Sequence, residues 1–144
     1  MARLTTQVLL LALTASLALS ACGSAPVSLR VQGLVLNGST VPVSCAAVGP
    51  GASLAVTVRD QAGEIIGHAW PGGQFCPRDW RRLAPGFAAQ YPGAATVWME
   101  RFSLTLPRRT FYQFSIQGVP GRVLLSYRDL AREHFRVELI DPNA

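Results

Sequence analysis

An all-β fold, an antiparallel sandwich of about seven strands, is the class this sequence predicts. Three observations carry that expectation. Apolar residues recur at every second position along most of the chain beyond residue 26. Clusters of Gly, Pro, Asn and Asp separate these runs at short intervals. No stripe of apolar residues at helical spacing continues for about ten residues in this region.

The elements follow in order. Residues 28–36 alternate as a strand, and Gly33 is a candidate bulge where the inward face switches. Asn37-Gly38-Ser39 then reads as a turn. Leu54, Val56 and Val58 alternate with Ser53, Thr57 and Arg59, the pattern of a half-buried strand. Asp60-Gln61-Ala62-Gly63 is turn chemistry with Gly63 free to take positive φ, and residues 64–70 return as the second arm of a hairpin. Residues 96–106 form another strand with mixed facing. Tyr112, Phe114 and Ile116 mark the next, and Gly118-Val119-Pro120-Gly121 ends it. Val123, Leu125 and Tyr127 make a further apolar face. Residues 129–133 are a loop or a single helical turn, and Phe135, Val137 and Leu139 alternate in the last strand. This size and spacing suit an immunoglobulin-like or fibronectin-like sandwich spanning residues 27–144.

Residues 71–93 break the rhythm. The segment is rich in Gly and Pro yet carries Phe75, Trp80, Phe87 and Tyr91, and Arg78, Arg81 and Arg82 surround Trp80. Long connections in compact domains are commonly functional, and aromatics argue against disorder. Residues 79–83 fit one helical turn closed by Pro85. Arginine beside tryptophan suits planar, anionic or sugar-like ligands through charge and stacking. Arg78, Trp80, Arg81 and Arg82 are therefore the candidate ligand-binding residues, and the competing reading has the aromatics folding back to cap the sandwich.

The basic residues are all arginine, thirteen of them against eight acids. Abundant Ala, Gly, Pro and Val point to a GC-rich coding bias rather than to selection for guanidinium chemistry. His68 and His134 stand apart from any second ligand at metal-binding spacing, and no cofactor or metal site is expected. Nucleophile-elbow, zincin and phosphate-loop motifs are absent, and no catalytic residue is assigned. Asp129 and Glu133, interleaved with Arg128 and Arg132, read as surface ion pairs.

The N-terminus is more specific. Arg3 precedes an uncharged run over residues 8–19, and Leu19-Ser20-Ala21-Cys22 ends it. A positive start, a short apolar run and small residues describe an export signal, and the run is short for a membrane span. The last four residues resemble the lipobox of bacterial lipoproteins. That resemblance implies cleavage after Ala21, diacylglycerol on the Cys22 sulfur, usually an acyl group on the new amine, and a mobile tether over residues 22–26. Two or three acyl chains hold a protein to a membrane stably, where one does not. Gly23 in place of aspartate favours the outer membrane over the inner in a double-membraned cell. With Cys22 assigned to lipid, Cys45 and Cys76 form an even pair in an oxidising compartment, and a disulfide between them is expected.

The expected function is a non-enzymatic binding or structural role at the envelope, with the sandwich presented to a protein or polysaccharide partner. Nucleic acid would conflict with that address. A small anionic or sugar-like ligand at the Trp80 loop is the alternative. An enzyme acting on envelope polymers comes third, since it needs a carboxylate pair or a histidine–carboxylate contact.

Overall fold

A computed structural model describes residues 27–45 and 54–141. The signal segment, the tether and Cys22 lie outside the described residues. Among those described, no helix is long and apolar enough to cross a membrane.

Two four-stranded sheets pack face to face as an all-β sandwich. The first contains β1 (Ser28–Ser39), β4 (Gly72–Phe75), β5 (Thr96–Pro107) and β8 (Arg136–Ile140), in the order β4-β5-β1-β8. The second contains β2 (Val56–Asp60), β3 (Ile65–Ala69), β6 (Phe111–Ile116) and β7 (Val123–Ser126), in the order β3-β2-β6-β7. The chain crosses between sheets on one flank from β3 to β4. On the other flank it crosses through helix α3 (Tyr127–Arg132), from β7 to β8.

The period-two pattern does its work in the core between the sheets. Leu29 and Val31 of β1, Phe102, Leu104 and Leu106 of β5, and Val137 and Leu139 of β8 meet Val56, Val58, Tyr112, Phe114 and Ile116 of the second sheet. Burying each such side chain contributes about 1.5–3 kcal/mol, so this core is the main source of stability.

The mixed facing of β1 and β5 has a cause other than a bulge. Their ladder runs unbroken from Ser28↔Pro107 to Ser39↔Thr96. Toward the far end of both strands a second core forms on the outer face of the same sheet. There Leu36, Val97 and Met99 pack under Trp80 of α1 (Trp80–Leu83) and Phe87 of α2 (Pro85–Gln90). The strands therefore bury first one face and then the other. Gly33 sits under the ring of Phe102, where a Cβ would overlap the aromatic carbons. Its role is close approach, not a bulge.

Other expectations are corrected in the same way. Among the described residues eight strands form, because residues 72–75, read as irregular, pair with β5. Asn37-Gly38-Ser39 is not a turn but the last part of β1. Pro85 does more than end α1: it opens α2 at a position where its missing N–H costs nothing. Tyr127 starts a helix rather than continuing a strand face, since Ser126 and Asp129 form a capping box. His134 precedes β8, with φ of 53°. Among the described strands, β1 and β8 form the one parallel pair and the other pairs are antiparallel. The hairpin turn matches its expectation, with Gly63 at φ 81°.

Cys45 and Cys76 are disulfide-bonded, with Cα atoms 5.7 Å apart. The bridge ties the segment after β1 to the end of β4.

Candidate functional site

Trp80 is not an exposed stacking platform. It is 2% exposed and packs edge-on against Phe87, with ring centroids 5.8 Å apart. The Arg81 guanidinium lies over its indole at 4.2 Å and donates to the Ala94 carbonyl at 3.3 Å. Arg82 turns instead to Asp79, forming a charge-assisted pair through Nε at 3.2 Å and Nη2 at 2.5 Å. That bond holds the Asp79 carboxyl below its usual range, against the smaller opposing effect of burial. Arg78 is exposed. The expected ligand site is thus a cap: the aromatics cover the outer core, and Arg81 and Arg82 serve separate local partners.

Among the described residues a concave feature lies beside this cap, between the two sheets along β7 and β8. At the Thr110 end, α3 bridges them: the Tyr127 N–H donates to the Thr110 carbonyl at 3.0 Å and Leu130 plugs the core. Toward the Gly118–Gly121 turn the sheets part, and a groove of 560 Å³ opens. Its floor is apolar, with Phe114 and Ile116 on one wall and Val137 and Leu139 on the other. Arg122 and Arg136 stand at the rim. This volume falls within the roughly 300–1,000 Å³ of ligand pockets, and an apolar floor with few polar groups is their usual composition.

Each wall has a local reason. Alternation in β6 and β8 turns Phe114, Ile116, Val137 and Leu139 inward. Gly118 and Gly121, at φ 76° and 99°, let the chain turn sharply between β6 and β7 and leave the mouth open. Glu138 fixes α2 as one lip, accepting from the Phe87 N–H at 2.7 Å and the Gly86 N–H at 3.3 Å. These acceptor bonds satisfy amides at the helix start that no side chain of the helix itself caps. Arg122 donates to Gln113 Oε1 at 3.4 Å.

The histidines are elsewhere. His68 meets Trp70 edge-on at 5.7 Å and lies 3.4 Å from the Thr57 hydroxyl. Among the described residues no group of three or more His, Cys, Asp or Glu side chains is placed to hold a metal. Asp129 and Arg132 do form an ion pair, at 3.6 Å. Sequence reasoning missed the groove. Its apolar positions are legible as strand interior, but the pattern does not say that the two sheets part there.

No family model matches the chain, and the searches of curated proteins and of solved structures also found no match.

Proposed function

We propose that this chain is a membrane-anchored lipoprotein of the bacterial cell envelope with a non-enzymatic binding role, and that its groove takes an extended segment of a partner protein. The observation carrying the partner is the position of the groove between β7 and β8, the edge strands of their sheets. Edge strands offer unpaired N–H and C=O groups that an added strand satisfies, while an apolar floor accepts alternate side chains of that strand. The lipobox-like Leu19-Ser20-Ala21-Cys22 supports the anchor. The Cys45–Cys76 disulfide agrees with an oxidising, exported location. A small ligand at Trp80 loses its support, because the indole is covered.

Affinity capture from detergent-solubilised envelopes tests this reading. Val123 lines the groove and is 36% exposed, so Val123→Arg blocks the floor without emptying the core. The wild-type chain should enrich a polypeptide that the variant does not. Enrichment of glycan alone, or equal capture by both chains, would refute the proposed partner.

A further inference from the structure

We infer that the Thr110 end of the sandwich is a docking surface for an anionic bilayer, so that the domain stands on the membrane with its groove directed away. The inference rests on the anchored reading and adds an orientation and a lipid chemistry to it.

The described chain begins at this end. The Val27 carbonyl accepts from the Arg108 N–H at 3.0 Å, so Val27, five residues after Cys22, is fixed beside Arg108. From Cys22 to Val27 is a short stretch of chain, too short to hold a distant face against the surface. The nearest surface must therefore be compatible with headgroups.

Its charge fits. Arg108 is held over the Tyr127 ring at 4.3 Å, and the Tyr127 N–H bond to Thr110 brings Arg128 to the same end. Arg30 is exposed two positions into β1, opposite Thr105, and Arg59 lies at the paired end of β2. The acids here are mostly engaged. Asp60 is buried and accepts from Ala62, Glu64 and Arg109, while Asp129 caps α3 and pairs with Arg132. Glu64, at the β2–β3 turn, is exposed and offsets a single arginine. Val27 and Phe111, 54% and 42% exposed, add apolar contacts at the same level.

A basic residue near an anionic leaflet contributes about 1 kcal/mol, and a second signal of this kind strengthens a lipid anchor. The Gly118–Gly121 turn lies at the other end of β6, so the groove mouth faces away from the bilayer and is reachable by a partner.

Partition of the full chain between phosphatidylglycerol and phosphatidylcholine vesicles tests this, because an acyl anchor enters both alike. The chain should favour phosphatidylglycerol, and added salt should remove the preference. The triple variant Arg30→Gln, Arg108→Gln, Arg128→Gln should lower the preference about a hundredfold, and Arg128→Gln alone about fivefold. Arg78→Gln, Arg101→Gln, Arg122→Gln together remove the same charge elsewhere and should leave it nearly intact. A partition ratio near one, or equal loss in both triple variants, overturns the inference. Mass analysis of Cys22 separates that failure from failure of the anchor.

Discussion

Gly33 shows how one residue makes room for its partner on the neighbouring strand of the same sheet. The Phe102 ring rests on its Cα, and any Cβ there must push a buried aromatic aside. Gly33→Ala should lower stability by about 1–3 kcal/mol through overpacking, read as a fall in the denaturation midpoint at unchanged m-value. Asp60 carries the pH dependence at this scale. Burial alone would raise its carboxyl, but the Glu64 and Ala62 amides and Arg109 hold it below the usual value. A depressed carboxyl stabilises the fold above its unfolded pKa, near about 3.9, and that contribution is lost as pH falls through the lower folded value. Melting temperature should therefore drop on acidification below about pH 4. Asp60→Asn should be less stable at neutral pH and show a flatter acid limb.

Among the elements, those with a single buried face were the most legible. Tyr112, Phe114 and Ile116 in β6, and Val137 and Leu139 in β8, alternate as expected because each strand meets one core. β1 and β5 were harder to read, since each buries opposite faces along its length and a change of partner looks like a change of register. The Pro71 to Gly93 segment gave the weakest signal. Arginines beside Trp80 suit a ligand site and a covered core equally well, and only packing decides between them. Removal of the cap should be costly: Trp80→Ala should destabilise by about 3–5 kcal/mol, measured by chemical denaturation, because it empties a buried aromatic site. Helix α3 depends on its capping box instead, so Ser126→Ala should cost about 1 kcal/mol.

The whole molecule has two unlike ends joined by a rigid sandwich. The basic end holds Val27, five residues after Cys22, while the opposite end carries the disulfide, the helical cap and the mouth of the groove. The disulfide closes a 31-residue separation and should contribute roughly 3–4 kcal/mol, so the paired change Cys45→Ser, Cys76→Ser should lower the melting temperature clearly. Little of the groove was visible in the sequence, because it arises where two sheets diverge, and divergence depends on contacts between strands distant along the chain. Its partner is the central claim and is best tested in intact cells. A photo-cross-linking residue at position 123, in the groove, should give one discrete adduct with another polypeptide, and the same residue at position 105, on the outer face of β5, should not. The same adducts from both positions, or none from position 123, would contradict a groove that binds a partner.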